Sequence, residues 1–346
     1  MRILVVQPGF LGDTVFLGPA VRALKARWPA GWVALCVTPR GAPAARLLPG
    51  CDQVIVYDKR GADRGLAGLW RTARRLRALH ADLALVPHRS LRSGLLALLS
   101  GAPRRLGYAP FCGRAPLDRS RPFVDRALAL AERAGASGDP ALALRVPVAL
   151  DPYAEQVLAS SGRPVVGLVP GAEWATKRWA PERFAELAAA LHRDGAAVVL
   201  LGGPSERGTS ARIQALAGIP LRDSTGNTIE EAVALLARCD LVVGGDTGLV
   251  HCARALGRPV LVLFGPTSPE RHLFTASERG LTLGLDCQPC HDHGPRRCPL
   301  GHHHCLTLLE PAAVAAAARA LLDAPGACGY GPHGADAPVR PVPERP

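Results

Sequence analysis

The sequence predicts an α/β protein made of two successive parallel sheets, and three observations lead there. Its apolar runs, such as Arg2–Val6 (RILVV) and Pro164–Val169 (PVVGLV), lack polar alternation, as strands covered on both faces should. These runs alternate with amphipathic helical stretches, the order of a parallel sheet wrapped by helices. The cycle also restarts after a Gly/Pro break, and 346 residues exceed one typical domain. The expected division is residues 1–155, residues 156–324, and a Pro/Gly-rich tail over 325–346 that lacks order.

The elements follow in order. After the first strand comes a Gln7–Asp13 turn, then a helix over Thr14–Arg27 with Val15, Leu17, Val21 and Leu24 on one side. Strands are expected at Trp32–Val37, Val54–Tyr57 and Leu83–Val86, and helices at Leu66–Leu79 and Ser93–Leu99. Arg104–Pro122, rich in Arg, Gly and Pro, reads as a loop over the open end of the first sheet. Phe123–Ala134 is helical, and Pro152–Ser160 reads as a connecting helix. The second cycle runs through helix Pro181–Arg193, strand Ala197–Leu201 and helices Glu206–Ala217 and Ile229–Arg238.

That cycle ends in the stretch that organises the chain, Leu241–Pro266 (LVVGGDTGLVHCARALGRPVLVLFGP). A strand leads into Gly244 and Gly245, which relieve a sharp turn. Asp246 and Thr247 then stand where a helix N-cap belongs. Gly257 and Pro259 close the helix, and Val260–Phe264 forms the next strand. Open amides at such a helix start suit an anion, and a diphosphate fits.

Composition narrows the function class. Hydrophobic residues make up 48% and charged residues 20%, which fits a soluble globular chain with large cores. The net charge of +12 favours an anionic partner. Aromatic residues are not interleaved with the basic ones, so no stacking platform for nucleic acid is expected. No apolar run reaches the ~18 residues of a membrane span, and Ile3–Val6 is too short for a signal-peptide core. A cytoplasmic protein is therefore expected. Gly9 and Gly12 alone do not make the three-glycine dinucleotide fingerprint, which argues against a nicotinamide enzyme.

Several residues stand at strand ends, where ligands of open α/β sheets bind. Asp13 follows Gly12 after the first strand, either as a helix cap or as a base for a bound hydroxyl. Lys177 lies in the turn after Pro164–Val169, and only three of the 41 basic residues are lysine. Its compact ammonium suits a phosphate oxygen. Glu206, after LLGGPS, can take a sugar hydroxyl or simply favour the first turn of a helix.

Four stretches, MRILVVQPGFLGDTVFLGPAVRAL, VPGAEWATKRWAPERFAELA, LLGGPSE and GGDTGLVHCARALGRPVLVLFGPT, together resemble the ADP-heptose:lipopolysaccharide heptosyltransferases. That is an inverting glycosyltransferase family (family 9) of GT-B architecture, with two Rossmann-like doubly wound parallel-sheet domains facing a central cleft. The matches lie in order over nearly the whole folded chain. The resemblance implies that Asp13 is the general base and that Lys177 meets the donor diphosphate. It implies that Asp246, Thr247, Gly248 and Leu249 form the phosphate loop, with His251 one turn behind. Glu206 matches an adenosine-ribose contact more loosely. Arg89, Arg92, Arg104 and Arg105, after strand ends of the first half, are candidates for the acceptor or plain surface arginines.

The implied reaction moves L-glycero-D-manno-heptose from ADP-heptose to the lipopolysaccharide inner core. No cofactor or metal is expected, since no Asp-x-Asp metal clamp occurs and Lys177 with the helix amides can carry the leaving charge. An acceptor at the cytoplasmic face of the inner membrane allows peripheral membrane contact. Two rivals are a same-fold transferase using another nucleotide sugar or acceptor, and a non-catalytic nucleotide- or glycan-binding module.

Ten cysteines are many for the cytoplasm. Cys36, Cys51, Cys112, Cys239 and Cys252 read as small apolar fillers, and Cys328 stands apart. Cys287, Cys290, Cys298 and Cys305 cluster as C-x2-C-x7-C-x6-C within a Cys/His-rich loop over 286–306. This spacing suits either a structural zinc or thiols that bind nothing. The segment resembles a cysteine-rich insertion in members that add the second heptose and that work without metal. Its extra HDHGP exceeds the expected pattern.

Overall fold

A computed structural model describes residues 1–324 except 115, 116, 119, 160, 161 and 163. The tail expected over 325–346, Cys328 and the expected helix end at Ser160 lie outside the described residues. Among the described residues twelve strands form two six-stranded sheets. The first holds β1 (Arg2–Gln7), β2 (Trp32–Val37), β3 (Gln53–Val56), β4 (Leu83–Val86), β5 (Arg104–Gly107) and β6 (Gly113–Arg114). The second holds β7 (Val165–Val169), β8 (Ala197–Gly202), β9 (Arg222–Thr225), β10 (Leu241–Gly245), β11 (Val260–Leu263) and β12 (Glu278–Leu281). The strand orders are β3-β2-β1-β4-β5-β6 and β9-β8-β7-β10-β11-β12, so the second sheet repeats the topology of the first. Every pairing is parallel.

The unalternating apolar strands work as expected, because each face has its own core. In β1, Ile3 and Val5 enter a core that runs between the two halves, while Leu4 and Val6 face an outer one. In β10, Val242 enters the shared core, while Leu241 and Val243 face the outer core of the second half. Each such buried Val or Leu stabilises the fold by about 1.5–3 kcal/mol. The shared core continues into the helix Gly248–Ala255 through Leu249, Val250, Cys252 and Ala253.

Three expectations need correction. The helix expected over Thr14–Arg27 is two helices, Leu11–Val15 and Gly18–Arg27. Pro19 has no N–H to continue the first, but its fixed φ suits the start of the second. The loop expected over Arg104–Pro122 contains β5 and β6, with Leu85 in register with Leu106. Gly244 and Gly245 belong to β10 and neither takes a left-handed conformation. Their value is close approach: a Cβ on Gly245 would sit 2.6 Å from the Lys177 carbonyl.

The edge strands β9 (RDST) and β12 (ERGL) and the helices Ala42–Leu47 and Pro311–Leu322 were not foreseen. Short edge strands need only one apolar face, so their sequences read as polar loops. The connecting helix spans Asp151–Leu158 and packs on the second half, where Arg238 reaches Glu155 at 3.1 Å.

Candidate active site

In each sheet the strand order reverses at one place, between β1 and β4 and between β7 and β10. Ligands of doubly wound sheets bind beyond the carboxyl ends of the strands at such a point. The loops there carry Asp13 and His88 in the first half, and Lys177 and Asp246 in the second. The two reversal points face each other across a cleft. Glycines make the approach possible: a Cβ on Gly12 would lie 2.9 Å from His251 Cδ2, and one on Gly248 would lie 2.7 Å from the Leu11 side chain. Arg40 pairs with Glu173 across the same seam, and Phe10 meets Trp174 edge-on at 6.1 Å.

The second reversal point is built around one buried carboxylate. Asp246 Oδ2 accepts from Lys177 Nζ at 2.5 Å and from Thr267 Oγ1 at 2.8 Å. Its Oδ1 accepts from His251 Nε2 at 3.0 Å, and His272 Nε2 lies 3.4 Å away without hydrogen-bond alignment. Burial opposes the Asp246 charge, but Lys177, His251 and His272 outweigh it and hold the carboxyl well below the usual range. Burial pushes both histidines down, with Asp246 opposing, so both imidazoles are neutral near pH 7. Arg254 donates to His272 Nδ1 at 3.3 Å, which places the remaining proton on Nε2, facing Asp246. Phe16, Phe123, Phe264 and Phe274 surround the His272 ring.

Asp246 is therefore a positioning group and does not cap the helix. The cap residue is Thr247, whose side chain makes no capping hydrogen bond, so the helix Gly248–Ala255 starts with amides open to a ligand. Lys177 also donates to the Asp246 carbonyl at 3.2 Å. An ammonium has three N–H groups, so one is left for a phosphate oxygen. Lys177, Asp246, Thr247 and Gly248 line a small cavity of about 80 Å³ together with Asp13 and Trp174. Leu249 packs its side chain into the core, leaving only its amide for the phosphate loop.

The first reversal point is larger and looser, a cavity of about 750 Å³. Asp13 lies in the helix Leu11–Val15, and its Oδ2 accepts from the Phe10 amide at 2.8 Å. That bond is the cap-like contact expected of a helix start, and it fixes the carboxylate rather than consuming it. Among the described residues no other hydrogen bond to Asp13 occurs, so Oδ1 is left for a ligand. Arg40, Lys59, Arg60, Arg89 and Arg126 bring positive charge to the same cavity. Burial and the neighbouring Arg60 and Arg92 push the Lys59 pKa down, and its ammonium donates to the Pro8 carbonyl at 2.6 Å. His88 is held through Nδ1 by Ser93 Oγ at 2.8 Å, and burial pushes its pKa down.

The structure thus brings Asp13, Lys177, Asp246, Thr247 and Gly248 to one cleft, with Arg89 in the lining of the larger cavity. Arg92 is exposed outside the cavity lining. Arg104 donates to the Arg133 carbonyl at 2.8 Å, and Arg105 donates to the Ala102 carbonyl at 2.6 Å. Both tie backbone segments together and line neither cavity. Glu206 accepts from the Gly203 amide at 2.9 Å and Ser205 Oγ at 2.6 Å, beside Gly171 and outside both cavities. Sequence reasoning missed Arg40, Lys59, Arg60, His88, Arg126 and His293. The scarcity of lysine flagged Lys177 and applied equally to Lys59; His293 was marked only as part of the Cys/His-rich loop, and nothing local marked the others.

Cys36, Cys239 and Cys252 are buried fillers, while Cys51 and Cys112 are half-buried. Amides of His303, Leu300, Gly301 and His302 point at the Cys298 thiol and lower its pKa. Among the described residues, the one group of three or more His, Cys, Asp or Glu with ligating atoms all within 4.8 Å is Asp246, His251 and His272. Lys177 Nζ lies 2.5 Å from the Asp246 carboxylate of this group and pairs with its charge. The four clustered cysteines are spaced more widely than that, yet burial, with Cys290, Cys298 and Cys287 nearby, pushes the Cys305 thiol up to about 11. No helix among the described residues is long and apolar enough to cross a membrane.

Comparison with known proteins gives the family and the fold. Residues 69–300 match glycosyltransferase family 9 (heptosyltransferase). Lipopolysaccharide heptosyltransferase 2 of Salmonella typhimurium is 31% identical over 78% of this chain and 84% of its own length. The solved structure of Escherichia coli ADP-heptose lipopolysaccharide heptosyltransferase II superposes with a TM-score of 0.74 at 28% identity, covering 93% of this chain and 98% of that one. A family 9 glycosyltransferase of Veillonella parvula shares the fold with a TM-score of 0.82 at 24% identity, over 93% and 97% of the two chains.

Proposed function

The chain belongs to glycosyltransferase family 9, the heptosyltransferases, and from that premise we propose how its cleft works. The protein is a glycosyltransferase of the GT-B class that moves heptose from ADP-heptose to the lipopolysaccharide core. The second heptose of the inner core is the one its relatives favour. The observation that carries the mechanism is the opposition of Asp13 to the Lys177–Thr247–Gly248 site across one small cavity.

The donor diphosphate lies on the Gly248 helix start, with Lys177 on a phosphate oxygen and Glu206 beyond it toward the nucleoside. The acceptor occupies the larger cavity, where five cationic side chains suit a sugar carrying carboxylates and phosphates. Asp13 removes the proton of the acceptor hydroxyl as that oxygen attacks the anomeric carbon. The bond from this carbon to the diphosphate oxygen breaks on the opposite face, so the configuration inverts. ADP departs with its charge met by Lys177 and the open amides, which supports transfer without a divalent metal or other cofactor.

The net charge of +12 fits work beside the anionic cytoplasmic face of the inner membrane, by peripheral contact, and no nucleic acid enters the reading. The test is Asp13→Asn. Loss of a positioned general base costs about 10²–10⁴ in rate. Transfer should fall by that factor with ADP binding intact, and near-normal turnover would sink the assignment.

A further inference from the structure

The Cys/His-rich loop, whose spacing suits either a zinc or thiols that bind nothing, is fastened beside the cleft. Gln288 Nε2 donates to the Gly265 carbonyl at 2.6 Å, and the Cys290 and His291 amides both reach the Pro266 carbonyl at 3.1 Å. Thr176 Oγ1 donates to the Pro295 carbonyl at 2.6 Å, and His303 Nε2 donates to the Thr176 carbonyl at 2.8 Å. The loop is thereby fastened to the turn that carries Lys177. A Cβ on Gly294 would lie 3.0 Å from Lys177 Cε. The residue just before that glycine, His293, projects into the cleft and stacks on Phe123 of the first half at 5.5 Å and 27°.

Its position is unusual in one respect. Five residues line both the large and the small cavity: Phe10, Asp13, Phe16, Phe123 and His293. Three are phenylalanines, so among the described residues Asp13 and His293 are the only polar side chains at the junction. The junction is where the transferred sugar must sit, with its anomeric carbon between the diphosphate and the base. Reduced solvation and the nearby Lys177 push the imidazole pKa down, with Asp13 opposing. A neutral ring offers one donor and one acceptor, which suits vicinal sugar hydroxyls. The His293 amide donates to His291 Nδ1 at 2.9 Å, which helps set the turn that aims the ring.

We propose that His293 is a binding residue for the transferred sugar, hydrogen-bonding hydroxyl groups of the heptose between the diphosphate site and Asp13. This rests on the function proposed above. It also gives the HDHGP extension a role: it carries a sugar-reading side chain to the junction that Asp13 reaches from the loop after β1.

The test compares the affinities of ADP and ADP-heptose, without acceptor, for the wild type, His293→Ala and His293→Asn, together with transfer kinetics. ADP lacks the sugar, so its affinity should change less than twofold in either variant. His293→Ala should weaken ADP-heptose about tenfold, roughly the worth of one or two neutral hydrogen bonds. His293→Asn, which keeps a donor and an acceptor, should recover part of that loss. Equal losses for ADP and ADP-heptose would mean that His293 only shapes the loop, and no loss for either would remove it from the site. Both results overturn the proposal. If wild type neither binds ADP-heptose more tightly than ADP nor transfers heptose, the functional reading itself falls, whatever the variants do.

Discussion

The two halves share one strand order and one binding position, yet their reversal points are built in opposite ways. In the second half an aspartate after β10 is buried and fully partnered by Lys177, Thr267 and His251. In the first half an aspartate after β1 is held by a single backbone amide beside a large, open cavity. The same residue type therefore does two jobs. Asp246 has its charge neutralised and can only orient its neighbours, whereas Asp13 keeps an oxygen for chemistry. Topology fixes where ligands go, and burial decides which carboxylate can react.

The comparison can be broken most forcefully at Lys177. In Lys177→Met the stem survives but Asp246 loses its buried cation, which should destabilise the protein by about 3–5 kcal/mol in chemical unfolding. The same variant should weaken ADP binding. An equally large loss from Asp13→Asn would mean that the two aspartates are not built differently.

A smaller effect is expected from pH. Buried His251 and His272 have pKa values below 6.5 in the folded chain but titrate near it when unfolded. Below pH 6.5 the unfolded chain therefore binds more protons, and stability falls as pH falls, until the folded-state pKa values are reached. The loss approaches about 1.4 kcal/mol per pH unit for each histidine. His272→Phe, inside a cage of phenylalanines, should flatten the curve measured by unfolding between pH 7 and 5. An unchanged slope would show that His272 does not set it.

The smallest effect separates arginines of the first half. Arg89 lines the larger cavity, which we propose for the acceptor, so Arg89→Ala should raise the acceptor KM by about two- to fivefold, the worth of one exposed charge contact. Arg104→Ala should leave that KM alone and lower only the melting temperature, since its guanidinium holds the carbonyls of Arg133 and Ala134. Equal KM effects would erase the distinction between the cavity lining and its scaffold.

The fold was legible where burial writes itself into sequence. β1, β7 and β10 are covered on both faces and read as unbroken apolar runs, and the helix after β10 is marked by its flanking turn residues. β5, β6, β9 and β12 were invisible because strands near a sheet edge tolerate polar and glycine residues. In the site, the Asp246–Gly248 turn follows directly after β10, and Asp13 and Lys177 lie in the connections after β1 and β7, which the sequence marks by glycine and proline at the strand ends. Asp246 was expected to cap or contact phosphate, and only the structure shows Lys177 and two histidines turned onto it. His293 could not be placed, because a long loop between strand and helix has no periodicity to say where it folds back.

Transfer itself is read from release of ADP from ADP-heptose, with and without an inner-core acceptor that carries one heptose, alongside mass analysis of the acceptor. The account predicts acceptor-dependent ADP release matched by the gain of one heptose, lost in Asp13→Asn. ADP release without acceptor gain, or transfer from a uridine-linked sugar instead, would contradict it.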